Sequence, residues 1–426
     1  MRFSSLPEWL NWQEGLHPST IELGLDRVSE VFKRLHSTLP SIPVITVAGT
    51  NGKGSSVALL ESIYQNAGYK TGVYTSPHLL RYNERIHLNG DEVSDDVICE
   101  AFERIDQARL NADKEISLTY FEFGTLAALD IFYRANPDVM ILEVGLGGRL
   151  DVVNIIDADV AIITSIGIDH TAWLGNDRET IAKEKAGIMR NERPVIFSSS
   201  DMPKSIKEMA EKTGAVLYQR VKDFDWNKGV GYASWDWVSN KQQRVALPMP
   251  SLRGNHQLDN AAGVLMAVEC LADKLSVNQQ QIKAALLSVS VPGRFQCLPG
   301  DPMHILDVAH NEASMACLAE LLNSQVCGGN NVAVLGMLED KAHAAALSVM
   351  LPEITKWYIA DLNVARGAKA EQLADVLKSL DGNIIVSCFG DVKQAIEAAD
   401  LEAESGDRVI IFGSFYTVEL AMQLGI

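Results

Sequence analysis

A run of β-branched residues that leads into a glycine-rich turn and then a helix constrains the fold more than any other feature. It occupies Val44–Ser56, and its glycines surround Lys53. Apolar residues then recur at helical spacing up to Gly68, a residue type that commonly ends a helix. In such a turn the backbone N–H groups and the helix N-terminus face an anion, and a lysine adds a full positive charge. The segment therefore predicts a site for phosphate groups.

The match to the common phosphate-binding loop is imperfect, because Gly54 follows Lys53 and the serines come after it. The alternative is a strand–turn–helix corner that needs glycine only for its geometry, with Lys53 as a solvated charge. Strand, glycines, lysine, hydroxyls and helix occur together in the required context, and we therefore favour the phosphate site.

Composition excludes several classes of protein. The 426 residues are too many for one ordinary core, so two or three domains are expected. Hydrophobic residues make up 47% of the chain, but no apolar run is long enough to span a bilayer. The net charge of −18 argues against a general nucleic-acid binder. The six cysteines are scattered, residues 1–12 lack the apolar core of a secretory signal, and no pattern demands an oligomer, so we expect a cytoplasmic monomer.

Strand-like and helix-like segments alternate along the chain, which is typical of α/β proteins with mostly parallel sheets. The stretch from Val221 to Pro250 departs from this pattern and predicts a small antiparallel excursion. A boundary near Val291–Arg294 gives an N-terminal domain over 1–291 and a smaller α/β domain over 292–426. The predicted strands are Val44–Ala48, Thr71–Thr75, Val139–Val144, Val160–Ser165, Val195–Ser198, Ile305–Val308, Val332–Leu335, Trp357–Ala360, Ile384–Val386 and Val409–Phe412. The predicted helices include Phe121–Arg134, Asp177–Met189, Ala261–Leu271, Ser314–Leu322, Ala342–Leu351, Ala370–Leu380 and Val392–Ala403.

Polar side chains follow several predicted strands directly, where ligands bind in open α/β sheets. Glu143 ends one of them, and a carboxylate there suits magnesium, which prefers hard oxygen ligands and bridges nucleotide phosphates. The alternative for Glu143 is an ion pair with a basic neighbour such as Arg149, and we favour the metal. The other strand-end residues are Ser76, Asp169, His170, Asp307 and His310.

Three residues are ambiguous when taken alone. Ser76 precedes Pro77 and is typical of a helix N-cap with proline at the first helical position. His170 is either a metal ligand or a hydrogen-bonded loop histidine. Lys185 lies among acidic residues in a helical pattern, where a surface salt bridge is the default interpretation, and nothing local distinguishes it from Lys183.

Taken together, the motifs resemble the folylpolyglutamate synthase/dihydrofolate synthase family, relatives of the Mur peptide ligases. This family has a glycine after the loop lysine, and Leu-Thr-Tyr-Phe-Glu with Gly-Leu-Gly-Gly-Arg-Leu-Asp is most similar to its bifunctional bacterial members. The matching segments follow family order through nearly the whole chain, at 21–28, 49–55, 75–79, 118–122, 143–151, 169–170, 184–187, 292–295, 307–311 and 336–341.

The resemblance implies an N-terminal P-loop ATPase domain, a smaller C-terminal Rossmann-like domain and an active site between them. It implies catalytic roles for Lys53, Lys185 and His310, with Lys185 as N6-carboxylysine carrying a CO2-derived carbamate. Two Mg2+ ions are implied, held by Ser76, Glu143 and His170. The implied ATP-binding residues are Thr50, Asn51, Gly52, Lys53, Gly54, Ser55, Asn260, Arg294 and Asp307, and His256 or Gln257 of a Gly-x-His-Gln motif is a further candidate for adenine. The implied pterin-binding residues are Glu22, Leu23, Gly24, Leu25, Thr119, Tyr120, Phe121, Glu122, Leu150, Asp151 and Val152.

The implied reaction is the ATP-dependent addition of L-glutamate to dihydropteroate, which gives dihydrofolate, and to tetrahydrofolates, which gives polyglutamates. An acyl phosphate is the intermediate, and all partners are small molecules, with no nucleic acid or membrane among them. The alternatives are a monofunctional folylpolyglutamate synthase, a Mur-type peptide ligase and a non-catalytic nucleotide switch. The acids and histidines at strand ends argue against pure binding.

Overall fold

The computed structural model describes residues 2–19, 21–36, 41–110, 115–229 and 233–426. The chain divides into two compact units. Unit 1 comprises Met1–Ile166, Leu174–Ser251 and Leu258–Val289, and unit 2 comprises Gly167–Trp173, Leu252–Gln257 and Ser290–Ile426. Two short segments that precede the expected boundary near residue 291 therefore group with unit 2.

Strands and helices alternate in both units, as the apolar pattern predicts. The strands of unit 1 are β1 (Val44–Ala48), β2 (Thr71–Tyr74), β3 (Ile86–Leu88), β4 (Asp91–Glu92), β5 (Val139–Glu143), β6 (Val160–Ile163), β7 (Pro194–Phe197), β8 (Val216–Gln219), β9 (Phe224–Lys228), β10 (Ser234–Ser239) and β11 (Gln243–Pro248). The helices up to the end of unit 1 are α1 (Leu6–Glu14), α2 (Asp26–Leu35), α3 (Lys53–Asn66), α4 (Asp95–Leu110), α5 (Tyr120–Ala135), α6 (Thr171–Leu174), α7 (Arg178–Lys185), α8 (Lys204–Thr213), α9 (Asn255–Cys270) and α10 (Gln279–Ser288). Of these, α6 up to Trp173 and the start of α9 fall in the two segments of unit 2.

The main sheet of unit 1 has eight strands in the order β4-β3-β2-β5-β1-β6-β7-β8. The six neighbouring strands β2, β5, β1, β6, β7 and β8 are parallel to one another. At the β2 edge of the sheet, β3 and β4 are added in antiparallel pairing. Every residue of β1 and β5 is buried, as expected for parallel strands covered on both faces. The carboxyl ends of β2, β5, β1 and β6 are consecutive along one edge, and the loops that follow these strands therefore lie side by side.

The predicted antiparallel excursion is confirmed, because β11, β10 and β9 form a separate three-stranded antiparallel sheet. Trp235 and Trp237 on β10 are completely buried. Their indole N–H groups donate to the carbonyls of Pro248 at 2.8 Å and Ala262 at 3.1 Å, so neither buried indole nitrogen lacks an acceptor.

Unit 2 has a six-stranded sheet in the order β12-β13-β17-β14-β15-β16, in which only the pairing of β12 with β13 is antiparallel. Trp357, Phe412 and Met315 are buried in its core. The predicted α/β fold class is confirmed for both units. The strands are β12 (Gln296–Leu298), β13 (Met303–Asp307), β14 (Asn331–Leu335), β15 (Lys356–Ala360), β16 (Ile385–Phe389) and β17 (Arg408–Phe412), and the helices are α11 (Glu312–Ser324), α12 (His343–Met350), α13 (Ala370–Leu380), α14 (Val392–Glu402) and α15 (Phe415–Gln423).

Most elements end within one residue of the prediction, but two end at least two residues earlier, both next to the glycine-rich turn. β6 stops at Ile163 instead of continuing to Ser165. Helix α7 stops at Lys185, and a short 3-10 helix, Ala186–Ile188, replaces the rest of the predicted helix. Within the described residues, no helix combines the length and the apolar character that a membrane crossing requires.

Candidate functional site

The glycine-rich turn connects β1 to α3 and is held by the chain that follows β6. Thr164 and Ser165 follow β6, and the N–H of Thr164 still donates to the carbonyl of Ala48 at 2.9 Å. The hydroxyls of Thr164 and Ser165 donate to the carbonyl of Asn51 at 2.6 and 3.0 Å. A Cβ at Gly49 would overlap the Thr164 hydroxyl, and one at Gly52 would overlap the Asn260 side chain. Gly49 and Gly52 also have φ angles of 153° and 90°, which favour glycine. The turn therefore has a fixed backbone, and two of its glycines are required by close contacts.

Two lysines reach the same carbonyl of this turn. Lys53 Nζ donates to the carbonyls of Gly49 at 3.2 Å and Thr50 at 3.3 Å. Lys185 is only 5% exposed, and its Nζ donates to the Gly49 carbonyl at 2.9 Å. The default interpretation of Lys185 as a surface salt bridge is therefore wrong. Burial also separates Lys185 from Lys183, which is exposed.

Glu143 and Ser76 lie together at the carboxyl ends of β5 and β2. Glu143 is 5% exposed, and its Oε2 accepts the backbone N–H of Ser76 at 3.3 Å. Arg149, the basic neighbour considered for Glu143, pairs with Glu184 at 3.0 Å. A carboxylate and a hydroxyl beside a phosphate-type turn are hard oxygen donors of the kind that suits magnesium.

Ser76 does not cap a helix, so that interpretation is wrong. The described residues 75–81 contain no helical turn. The carboxylate of Glu84 accepts the N–H groups of Leu79, Leu80 and Arg81 at 2.6 to 2.7 Å, which holds this segment as a loop. The loop keeps Ser76 at the sheet edge.

The described residues contain no group of three His, Cys, Asp or Glu side chains that could hold a metal ion. The structure brings Ser76 and Glu143 together in unit 1, whereas His170 belongs to the 167–173 segment of unit 2. His170 has a φ of 52°, and its N–H donates to Asp169 Oδ1 at 2.8 Å. Magnesium commonly retains waters and bridges substrate phosphates, so a small protein donor set remains compatible with it.

Asp169 is the centre of a polar cluster in unit 2. Its carboxylate accepts Lys341 Nζ at 2.7 Å and Asn311 Nδ2 at 3.1 Å, and it lies 3.4 Å from His310 Nε2. Burial acts against the charge of Asp169, but His310 and Lys341 outweigh it and hold the pKa of Asp169 below its ordinary value. Its position after a predicted strand identifies Asp169 as a candidate site residue, whereas no sequence signal identifies Lys341 as its partner.

The candidate nucleotide residues fall in both units. Asn260 lies beside Gly52 in unit 1. In unit 2, Asp307 accepts the N–H groups of Phe295 and Ala309, each at 2.8 Å. Burial raises the pKa of Asp307, while nearby Arg294 acts in the opposite direction. The guanidinium of Arg294 also lies 5.3 Å from the ring centre of Phe415.

His256, from the Gly-x-His-Gln motif, belongs to the 252–257 segment of unit 2. Burial lowers the pKa of His256 to about 4, so the ring is neutral at physiological pH. A neutral imidazole presents one donor and one acceptor, which is a chemistry that suits a purine edge.

The candidate pterin residues lie on three segments of unit 1, and their carboxylates make local hydrogen bonds. Thr119 caps α5, and the N–H of Thr119 donates to Glu122 Oε2 at 2.7 Å. Asp151 accepts the N–H groups of Leu146 at 2.8 Å and Val153 at 3.1 Å, and burial raises its pKa to about 6. The remaining members of the second and third segments are partly buried or buried, namely Tyr120, Phe121, Leu150 and Val152.

The first of these segments, Glu22–Leu25, precedes α2 and has neither helix nor strand. Leu23 and Gly24 are half-buried within it, and Glu22 is exposed. Arg27 of α2 contacts both Glu22 and Glu122. Arg27 lies inside a segment that matches the family, but no spacing signal indicated this contact.

Two family models match the chain. The Mur ligase middle domain matches residues 47–268, and the Mur ligase, glutamate ligase domain matches residues 293–415. The chain is 44% identical over 421 residues to the dihydrofolate synthase/folylpolyglutamate synthase of Escherichia coli, covering 99% of this chain and 96% of that protein. It is 40% identical over 433 residues to the protein of the same name from Haemophilus influenzae, covering 97% and 96%.

Solved structures agree with these relatives. Escherichia coli FolC in complex with DHPP and ADP superposes with a TM-score of 0.92 at 43% identity, covering 99% of this chain and 97% of that chain. A bifunctional folylpolyglutamate synthase/dihydrofolate synthase with Mn, AMPPNP and L-glutamate bound gives a TM-score of 0.90 at 43% identity, covering 99% and 98%. The chain belongs to the dihydrofolate synthase/folylpolyglutamate synthase family of Mur ligases.

Proposed function

We propose that the protein is an ATP-dependent ligase that joins L-glutamate to dihydropteroate and to reduced folates through an acyl phosphate. Full-length similarity at 44% identity to a dihydrofolate synthase/folylpolyglutamate synthase carries this proposal. A carboxylate is a poor electrophile, so it must be activated before an amine can attack it. Phosphorylation of the carboxylate supplies that activation, and phosphate then leaves as the amide forms.

The turn between β1 and α3 supplies charge neutralisation for the phosphoryl group. In this proposal Lys53 and the N–H groups of residues 50–55 hold the phosphates of ATP. Asn260, Arg294 and Asp307 bind the rest of the nucleotide, and His310 acts close to the reacting groups. Ser76, Glu143 and His170 hold two Mg2+ ions, which neutralise phosphate charge when bound. The strand-end positions of Ser76, Glu143 and Asp307 support the assignment.

We propose that Lys185 carries a CO2-derived carbamate as N6-carboxylysine. Burial favours the neutral amine of a lysine, and the neutral amine is the form that adds to CO2. The depth of Lys185 next to Gly49, in contrast to exposed Lys183, supports this chemistry. The carbamate would turn a cation into an anion, and an anion at this position suits a metal ion.

The segments Glu22–Leu25, Thr119–Glu122 and Leu150–Val152 bind the pterin in this proposal. The cytoplasm is the proposed compartment, since all six cysteines are free thiols.

The test is ADP release with ATP, magnesium and L-glutamate, run in parallel with dihydropteroate and with a tetrahydrofolate. Release with both substrates is expected. Release with tetrahydrofolate alone would reduce the protein to a folylpolyglutamate synthase, and release with neither would contradict the proposal. Lys53→Ala should abolish both activities, whereas Lys70→Ala, which removes an exposed lysine of the same unit, should leave them unchanged.

A further inference from the structure

Arg27 joins two segments that are distant in sequence. It lies in the first turns of α2, and its NH2 group donates to Glu122 Oε1 at 2.6 Å. Its NH1 group forms an ion pair with the carboxylate of Glu22. One guanidinium therefore connects the coil before α2 to the N-terminus of α5.

Glu122 is the fixed end of this connection. Its side chain is 2% exposed, and its second oxygen accepts the N–H of Thr119 in the capping box of α5. Capping ties the carboxylate to the backbone of the helix start. The position of the Arg27 guanidinium is therefore set by α5 as well as by α2.

Glu22 is the less constrained of the two carboxylates that Arg27 contacts. The Glu22–Leu25 segment has neither helix nor strand, so ladder hydrogen bonds do not hold it. The Glu22 side chain is 47% exposed, and besides Arg27 it contacts His17 Nε2 at 2.9 Å. Because Leu23 and Gly24 are only half-buried, the contacts of the Glu22 side chain add to this partial burial in fixing the position of the segment.

We propose that Arg27 is a positioning residue for the pterin, which fixes Glu22–Leu25 relative to Thr119–Glu122. The inference rests on the proposed function, because these segments are its pterin-binding residues. Arg27 acts through Glu22 and Glu122 and does not touch the reacting atoms. It therefore affects how well the folate substrate is bound, and not how ATP is bound.

The first test compares Arg27→Gln with the wild type in the ADP-release assay. We expect the KM for dihydropteroate to rise roughly tenfold, because small displacements of positioning groups are costly. The KM for ATP and kcat should stay within about twofold of wild type. Arg27→Lys should give a smaller rise, because an ammonium keeps the charge but lacks the planar fork that reaches two carboxylates.

The matched control is Arg34→Gln on the same helix. Arg34 also pairs with a glutamate, Glu30 at 3.1 Å, and donates to the carbonyl of Ala108 at 3.1 Å. Neither contact involves a pterin segment. This variant should leave the KM for dihydropteroate unchanged.

A double variant separates positioning from simple loss of stability. Arg27→Gln leaves the buried Glu122 carboxylate without this guanidinium, which destabilises the fold. Adding Glu122→Gln removes that charge while keeping an acceptor for Thr119. Because Glu122 is itself a proposed pterin residue, the double variant is compared with Glu122→Gln alone. Positioning predicts that the melting temperature recovers in the double variant while its KM for dihydropteroate exceeds that of Glu122→Gln; equal KM values in these two variants would contradict the inference.

The outcomes also separate the inference from the proposed function. An active wild type whose KM for dihydropteroate is unchanged in Arg27→Gln overturns the positioning role alone. A wild type that releases no ADP with either folate substrate overturns the proposed function and the positioning role together.

Discussion

At the scale of single residues, Asp151 has a direct consequence for stability. Its ordinary pKa of 3.8 is raised to about 6 by burial. Between pH 3.8 and about pH 6, the Asp151 carboxyl is protonated in the folded protein and ionised in the unfolded chain. The stabilisation from Asp151 is therefore present below about pH 4 and is lost as the pH rises through about 6, at roughly 1.4 kcal/mol per pKa unit.

Asp151→Asn should remove this pH dependence. Between pH 4 and pH 7, the unfolding free energy of the wild type should fall by roughly 3 kcal/mol relative to that of the variant. Urea denaturation at several pH values measures it. An equal difference at both ends of the range would mean that Asp151 has an ordinary pKa in the folded protein.

Lys185 and Lys183 form a matched pair for the carbamate. Lys185→Ala should lose most activity, and short carboxylic acids should partly restore it by replacing the lost anion. Lys183→Ala, on the same helix but exposed, should retain full activity. ADP release with and without acetate checks this, and full activity of Lys185→Ala would rule out a required carbamate.

The same pair shows what spacing can and cannot reveal about single residues. Two positions along a helix rotate a side chain by about 200°, so Lys183 and Lys185 lie on opposite sides of α7, and Lys185 shares its side with buried Ile181 and Ala182. Helical spacing therefore separates the two lysines, a signal that the default interpretation as a surface salt bridge does not use. Spacing does not reveal that Lys185 reaches the carbonyl of Gly49, 136 positions earlier in the chain.

At the scale of elements, two glycines that flank α3 allow two effects of an added Cβ to be measured separately. One effect is overlap with a neighbouring side chain, and the other is the strain of a positive φ angle. Gly52 and Gly68 have φ angles of 90° and 86°, so alanine is strained at either. A Cβ at Gly52 overlaps Asn260, whereas a Cβ at Gly68 meets no atom within 4 Å. Gly68→Ala should cost about 1–2 kcal/mol of stability with an unchanged KM for ATP.

Gly52→Ala should cost more stability than Gly68→Ala and should raise the KM for ATP, because the start of α3 must shift. Urea denaturation and ATP saturation curves on the two variants provide the measurement. Equal effects of the two substitutions would show that the contact with Asn260 has no role.

Sequence patterns located the elements well but missed where some of them end. β6 is predicted through Ser165 but ends at Ile163. Beyond it the backbone of Thr164 and Ser165 bonds to Ala48 and Thr50, and both hydroxyls bind the carbonyl of Asn51 in the glycine-rich turn. α7 gives way to a 3-10 helix where Gly187 packs against Arg149, which a Cβ would overlap. In both cases a tertiary contact with a loop overrides a locally favourable pattern.

At the scale of the whole molecule, nucleotide binding should be visible as stabilisation. A ligand that binds only the folded state at a hundred times its Kd adds about 2.7 kcal/mol. A non-hydrolysable ATP analogue with magnesium should therefore raise the melting temperature of wild type. Lys53→Ala at the same concentration should show little shift, and an equal shift would contradict the phosphate-binding role of Lys53.

The division of the chain is also a property of the whole molecule. Composition and the Pro-Gly step after Val291 indicated a boundary, but they could not show that 167–173 and 252–257 group with unit 2. Such grouping depends on contacts like that of Asp169 with Lys341, which no linear pattern contains. The monomeric state stays a prediction, which light scattering against a mass of 46.6 kDa would check.

The central position of β1 has a consequence for synthesis on the ribosome. Its two partners are β5 and β6, which begin at Val139 and Val160, about a hundred residues later in the chain. At roughly 5–20 residues per second, β1 waits on the order of 5–20 s before a neighbour emerges. During that time the apolar strand β1 is without its pairing partners. The nascent chain should therefore depend on chaperones well before Lys185 is synthesised and can join Lys53 at the glycine-rich turn.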